Sequence, residues 1–548
     1  MSLTARSRPR SPQPEAQGFQ WEIPDRFNIG AACTEAHPAQ APAIVVDRGD
    51  APAEVTTFGE LGERARRLVT FLRERGVGEG DRVAVMCAQS AETAIAHMAA
   101  YLMGAIAVPL SVKFGPEAAL FRMGDSGAVA AVFDADCYDR LATELAELPD
   151  LRTVLVAGGA GTDAPDPAGA GALTVLPLSV ADDADVAVVV ADTGPDDPAL
   201  LIYTSGTTGQ PKGALHGHRV LLGHMPGVVR ALDGFPEAGD TFWTPADWAW
   251  AGGLLDVLLP SLYSGVPVVA SDRRPSPETV EHILRRHGVT CSFLPPTILK
   301  MMRASDVDYS RTGLRAAFSG GEALGGPVAE WARRSLGIRV NEIYGQTELN
   351  LIVGTCHARF DTPPGSMGRP TPGFDLALLD PLGEPVEPGE VGEICVRLPS
   401  PNAFLRYWNA PEKTEEKTAG GVLHTGDLGY VDDEGNFWFS GRNDDLISTA
   451  GYRVGPGEIE DQILRHGDVE MVAVIGVPDE LRGEAIVAYV VPAAGVTGSE
   501  ELAAEIQDFV KQRLAFYQYP RDVIFLDELP TTNTGKIRRA QLRAEHGR

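Results

Sequence analysis

The stretch TFGELGERARRLVTFLRERGVGEGDRVAVMC, from Thr57 to Cys87, narrows the fold sharply. Leu61, Ala65, Leu68 and Leu72 recur at the spacing of one helix face, Gly76 stands where a helix cap belongs, and VAVMC (83–87) is a short apolar strand. A one-striped helix feeding a buried strand is the unit of a helix-covered parallel sheet. Further strand-like runs follow at AVAAVF (128–133), TVLVA (153–157), ALLIY (199–203), VPVVA (266–270) and CSFLP (291–295). The predicted class is α/β, with a large N-terminal domain of helix-covered, mostly parallel sheets.

Two later changes of texture refine this. Residues 155–198 are rich in Gly, Ala, Pro and Asp and read as mostly surface loop. FDLALLDPLGEPVEPGEVGEICVRLP (374–399) reads as strands joined by Pro/Gly turns, a β-rich subdomain. Beyond a boundary at SGRNDDLIS (440–448), alternating helices and strands predict a small, mobile α+β C-terminal domain. The divisions expected are a disordered tail at 1–18, an N-terminal domain at 19–441, a hinge at 442–446 and the C-terminal domain at 447–548.

At 548 residues the chain is long enough for more than one core. Its net charge of −28 argues against nucleic-acid and anionic-membrane partners, which need a basic surface. The most apolar runs are short or broken by Pro, Gly and Asp, so no membrane span is expected. The polar, Pro-rich N-terminus lacks the apolar segment of a signal peptide, and six scattered cysteines without a C-x-x-C pair suit free thiols in a reducing cytoplasm. His216 and His218 form an H-x-H that could hold a metal or make ordinary contacts; the absence of a nearby Cys or second His pair favours contacts.

After PALLI comes YTSGTTGQPKG, residues 203–213. Small residues, hydroxyls and one lysine suit a loop that wraps phosphate, although a structural turn would have the same composition. The spacing is not that of a Walker A loop, which excludes the common nucleotide-triphosphate motors and kinases. Four other segments favour phosphate. NEIYGQTELN (341–350) offers Glu348, a candidate magnesium ligand; HTGDLG (424–429) offers Asp427, a turn aspartate that could accept ribose hydroxyls; GRNDDLISTAGYRVGPGEIE (441–460) supplies two arginines; PTTNTGKIRR (530–539) supplies Lys536.

These segments, in this order and over nearly the whole chain, resemble the adenylate-forming superfamily of acyl-CoA synthetases, adenylation domains and luciferases. FQWEIPDRFNIG, TAGYRVGP, PDELRGE and YQYPR look like its medium-chain acyl-CoA synthetase subgroup, related to acetyl-CoA synthetases. The resemblance implies that a carboxylate attacks the α-phosphate of ATP, expelling pyrophosphate, and that coenzyme A then displaces AMP from the acyl adenylate. It implies that Thr204, Ser205, Gly206, Thr207, Thr208, Gly209 and Lys212 wrap the phosphates. Gly321, Glu322, Ala323 and Glu342 would lie about the adenine, and Tyr344, Gly345, Gln346 and Thr347 about the nucleotide, with Thr347 touching the α-phosphate. Glu348 would hold Mg2+, Asp427 and Arg442 the ribose, and Lys536 would bridge the carboxylate and the α-phosphate. Asp444 occupies the family's hinge position, about which the C-terminal domain rotates. Coenzyme A would meet Ala450, Gly451, Tyr452, Arg453, Arg482, Tyr519, Pro520 and Arg521, with Ala450 standing where serine is usual.

Acetyl-specific relatives close the acyl pocket with a tryptophan where this chain has Gly345, and they carry larger residues than Ala251 and Gly252. An open floor favouring short-to-medium, branched or aromatic acids is therefore expected. Trp248 and Trp250 either shape the pocket wall or belong to the core. Two other functions share the nucleotide motifs, loading of a carrier protein and non-enzymatic nucleotide binding. The first would lack the coenzyme A contacts, and the second sits poorly with Lys536, Glu348, Asp427 and Arg442 all present. A homo-oligomer and a lysine acyltransferase acting on Lys536 are both compatible with this reading.

Overall fold

The computed structural model describes residues 18–158, 173–186, 190–204, 211–442, 445, 447–449, 452–479, 482–515, 517–531 and 537–546. The expected tail therefore lies outside the described residues, apart from Gly18. So do Ser205, Gly206, Thr207, Thr208, Gly209, Asp444, Ala450, Gly451 and Lys536.

The helix read at Leu61–Leu72 runs from Phe58 to Glu74, opened by a capping box between Thr57 and Glu60. Gly76 follows at φ +76°, a conformation that costs a side-chain-bearing residue more. One face of the helix buries Phe58, Leu61, Ala65, Leu68, Val69 and Leu72. Truncating a leucine there to alanine costs about 2–5 kcal/mol. The strands read at 83–87, 128–133, 153–157 and 199–203 form as Arg82–Met86, Ala128–Asp134, Thr153–Ala157 and Pro198–Thr204. All four lie in one eight-stranded sheet that is parallel through its centre. A nine-stranded sheet holds Val268–Ala270, Cys291–Phe293, Ala316–Gly320 and Asn341–Gln346. It too is parallel inside, with antiparallel strands at its edges.

Within 155–198, read as mostly surface loop, Thr174–Pro177 adds an edge strand to the eight-stranded sheet. Its alternation was too short to stand out against Gly and Pro. The β-rich region forms a four-stranded antiparallel sheet from Leu376–Leu379, Gly392–Arg397, Val422–Val431 and Phe437–Arg442.

Past residue 442 the paired strands Val469–Asp479 and Gly483–Pro492 carry the helices Pro456–Ile463 and Glu500–Lys511. They enclose a separate apolar cluster that includes Ile447, Ile459, Ile463, Val474, Ile506 and Val510. Asp445, which follows the last strand of the preceding sheet in the chain, pairs with Arg543 at 2.9 Å and Arg539 at 3.8 Å. Among the described residues no helix is long and apolar enough to cross a membrane.

Candidate active site

The site is organised by a hairpin. Asn341–Gln346 pairs antiparallel with Leu349–Gly354, so Thr347 and Glu348 form its two-residue tip. The pairing register shifts between Tyr344 and Gln346, and Leu351 opposite takes φ +55°, a strained conformation for leucine. At the tip Glu348 is 9 % exposed, and its Oε1 accepts the Tyr407 hydroxyl at 2.5 Å. Burial and the neighbouring carboxylate push the Tyr407 phenol well up, so it remains a donor. Among the described residues no donor reaches the other Glu348 oxygen. One oxygen held by Tyr407 and the other not engaged by any described residue fits a single carboxylate reaching a magnesium ion bound to phosphate.

Asp427 faces the hairpin from Val422–Val431 and pairs across the sheet with Arg442. The segment read as a turn is instead a bulge within the strand, with Gly426 at φ +75° and the Asp427 N–H donating to Thr425 Oγ1 at 3.0 Å. Asp427 Oδ2 accepts the Tyr344 hydroxyl and the Gln346 amide, each at 2.7 Å. Arg442 Nη1 stands 3.3 Å from Oδ1. Burial raises the Asp427 carboxyl, against the opposing pull of Arg442, Tyr344 and Gln346. Nearby, Glu342 anchors the loop holding Gly321, Glu322 and Ala323, its carboxylate accepting the Leu324 N–H at 3.1 Å. Gly321 sits at φ +93° with open space where a side chain would be.

On the phosphate side, Thr204 and Lys212 pair across adjacent strands. The Lys212 ammonium lies 5.4 Å from the Tyr407 ring centroid, so Tyr407 touches both the lysine and the Glu348 carboxylate. Thus Thr204, Lys212, Glu342, Tyr344, Gln346, Thr347, Glu348, Asp427 and Arg442 occupy interlinked strands and turns.

In the C-terminal unit, Tyr452 and Arg453 fall on the strand Tyr452–Val454. Thr449, on the strand paired with it, also pairs with Gly483 beside Arg482. Arg482 is held 3.3 Å from Asp479. Arg521 stacks on Tyr519 at 3.8 Å, beside buried Pro520, and its pKa is lowered first by burial and then by the charge of Arg482.

Trp248 is 1 % exposed and belongs to the main core, whereas half-buried Trp250 packs edge-on against Phe114 at 5.7 Å. The small residues do not simply leave open volume. A Cβ on Gly345 would stand 2.6 Å from the backbone of Asn350 and Leu351, and one on Gly252 would meet the Phe293 ring at 2.6 Å. The hairpin bulge therefore fills the direction in which a side chain at 345 would point. Ala251 precedes Gly252 on the same short helix and is half-buried. The histidine pair is also settled by packing. His216 and His218 are buried, which lowers them to about 3 and about 4, and His218 Nδ1 accepts the Ile29 N–H. Neither joins a metal-ligand cluster among the described residues.

Sequence reasoning missed Tyr407 and Lys417. Both come from the segment RYWNAPEKTEEKT, and only tertiary packing carries it to the hairpin tip. It also missed a buried support, in which Asn350 Nδ2 donates to both oxygens of Asp256 at 2.9 and 2.8 Å.

Comparison with known proteins agrees with this geometry. The model of the AMP-binding enzyme family matches residues 31–408, and that of the AMP-binding enzyme C-terminal domain matches 458–536. An acetyl-coenzyme A synthetase of Bacillus subtilis is 34 % identical over 497 residues, covering 90 % of this chain and 85 % of its own. The human mitochondrial acyl-coenzyme A synthetase ACSM4 is 32 % identical over 549 residues, covering 98 % and 92 %. The crystal structure of a benzoate CoA ligase from Burkholderia xenovorans superposes with a TM-score of 0.82 at 30 % identity, covering 94 % of this chain and all of the other. The chain belongs to the AMP-binding, adenylate-forming enzymes, among their acyl-coenzyme A synthetases.

Proposed function

We propose that the chain joins a carboxylic acid to coenzyme A at the expense of ATP, releasing AMP and pyrophosphate. The observation that carries this reading is the convergence of Tyr344, Gln346 and Glu348 of one hairpin with Asp427 and Arg442 of two paired strands. In the first step a carboxylate oxygen attacks the α-phosphorus, the bond to the bridging oxygen breaks, and pyrophosphate leaves with the electron pair. Two anions must meet, so positioning and charge neutralisation dominate the barrier. Lys212 and the loop 204–212 would take the phosphates, Thr347 the α-phosphate, and Asp427 with Arg442 the ribose. Glu348, steadied by Tyr407, would hold magnesium, which when bound neutralises phosphate charge. The adenine would lie over residues 321–323, beside Glu342.

Lys536 would complete the step from a C-terminal domain that turns about a hinge at 442–446, Asp444 absorbing the backbone change. In the second step the coenzyme A sulfur attacks the acyl carbonyl, and the carbon–oxygen bond to AMP breaks. Arg482 and Arg521, two cations of the C-terminal unit, would take the phosphates of coenzyme A, with the segment 450–453 along the pantetheine arm. The domains are proposed at 19–441 and 447–548, and the compartment as cytoplasm. Acylation of Lys536 by a lysine acyltransferase would remove the charge that the first step needs.

For the acid we propose a short-to-medium, branched or aromatic carboxylate, a reading that Gly345 and Gly252 no longer support, because their side-chain directions are filled, and that the likeness to a benzoate CoA ligase does. A screen of coenzyme A-dependent AMP release from acetate to decanoate, with isobutyrate and benzoate, tests this. Preference for one of the larger acids is expected. Acetate as the best substrate would overturn the acyl assignment and leave the adenylation reading intact.

A further inference from the structure

Lys417 ends the helix Pro411–Lys417, and its ammonium lies 3.0 Å from Gln346 Oε1 and 3.3 Å from the Thr425 carbonyl. Gln346 Nε2 in turn donates at 2.7 Å to Asp427 Oδ2 and to the same Thr425 carbonyl. An ammonium can only donate and a carboxylate can only accept. The glutamine amide between them is thereby fixed, oxygen toward Lys417 and nitrogen toward Asp427. Reversing it would set N–H against ammonium and C=O against carboxylate.

The lone pairs of Asp427 show what this order accomplishes. A carboxylate offers about four acceptor positions. On Oδ2 two are taken, by Tyr344 and Gln346, and on Oδ1 Arg442 takes one. Among the described residues the unspent acceptor is on Oδ1, so the Oδ2 contacts set the direction in which it points. Lys417 itself makes no direct ion pair with Asp427 among the described residues; its charge reaches the carboxylate through the amide. Burial works against the ammonium, and the charges of Glu348 and Asp427 favour it.

We propose that Lys417 is a positioning residue for the nucleotide ribose, locking the Gln346 amide so that Asp427 presents its Oδ1 edge to the ribose hydroxyls. The inference rests on the proposal that Asp427 takes the ribose, and its test separates the two.

The test measures dissociation constants of ATP and of 2′,3′-dideoxy-ATP by calorimetry, with the full chain in magnesium buffer and no acid. Wild type should bind ATP more tightly than the dideoxy analogue. Lys417→Met should weaken ATP by about tenfold, the size of one lost charge-assisted hydrogen bond, and weaken the dideoxy analogue by less than about twofold. Gln346→Met should reproduce that pattern, and the double variant should be no worse than either single one. A helix merely undocked by loss of Lys417 would weaken both nucleotides alike, and that result overturns the inference. Full retention of ATP affinity overturns it too. If Lys417→Met does not fold, Gln346→Met decides the matter by the same ratio. Failure of wild type and Asp427→Asn to differ in ATP-to-dideoxy preference would instead remove the ribose reading beneath it.

Discussion

Tyr407→Phe isolates one contact at the hairpin tip. The ring is kept, along with its packing on Phe404 at a centroid distance of 4.8 Å, and only the hydroxyl donated to Glu348 is lost. A hydrogen bond to a charged group contributes about 1.5–3 kcal/mol, and leaving a buried acceptor without its donor costs a similar amount. If Glu348 holds magnesium, that energy orients the ligand, and removing such support typically lowers metal affinity by about 10–100-fold. The two figures agree, since about 1.4 kcal/mol is one factor of ten. Titration of magnesium in a pyrophosphate-release assay at saturating ATP should therefore show the half-maximal concentration rising by about 10–100-fold. Tyr407→Phe should keep the wild-type far-UV spectrum. An unchanged magnesium midpoint in a folded variant would refute the role given to Tyr407, and with it the placing of the metal at Glu348.

Three further outcomes are expected. Lys536→Ala should abolish pyrophosphate release from ATP plus acid while sparing thioester formation from a supplied acyl adenylate; equal loss of both half-reactions contradicts its role. Gly345→Trp should lose stability and activity toward every acid, because a Cβ there meets backbone at 2.6 Å; a stable variant sharpened toward acetate would contradict the bulge. Asp256 is buried and raised to about 7, so between its unfolded value of 3.8 and about 7 the folded chain binds the extra proton. Its contribution to stability is greatest at low pH and falls as pH rises through that window. Asp256→Asn should flatten the fall in melting temperature between pH 5 and 8, and an unchanged profile would count against the buried acid.

Much of the fold was legible because local pattern and tertiary role coincide. The stripe Leu61, Ala65, Leu68 and Leu72 is the face that is buried, the apolar run at 128–133 is an interior parallel strand, and that at 199–203 is an interior strand with one parallel and one antiparallel neighbour. The motif residues of the site were legible for a related reason: Glu348 sits at a hairpin tip and Asp427 and Arg442 on a bulged strand pair, in short segments whose sequence is distinctive. Supporting residues were not. Tyr407 and Lys417 sit in an ordinary polar segment, and nothing within it states that its helix docks beside the hairpin tip. Position 345 shows the opposite failure. A glycine there suggested empty space, whereas the bulge at Asn350 and Leu351 fills it with backbone, a feature set by strand register and by the left-handed Leu351.

On the proposed function, a nucleotide cradle on the hairpin and the Asp427 strand lets a carboxylate capture the AMP moiety before any thiol takes part. Exchange of labelled pyrophosphate into ATP, measured with magnesium, a panel of acids and no coenzyme A, tests it most directly. Exchange that requires an acid and vanishes in Asp427→Ala is expected. Exchange that never rises above background with any acid, in protein that still turns over with coenzyme A present, would contradict it.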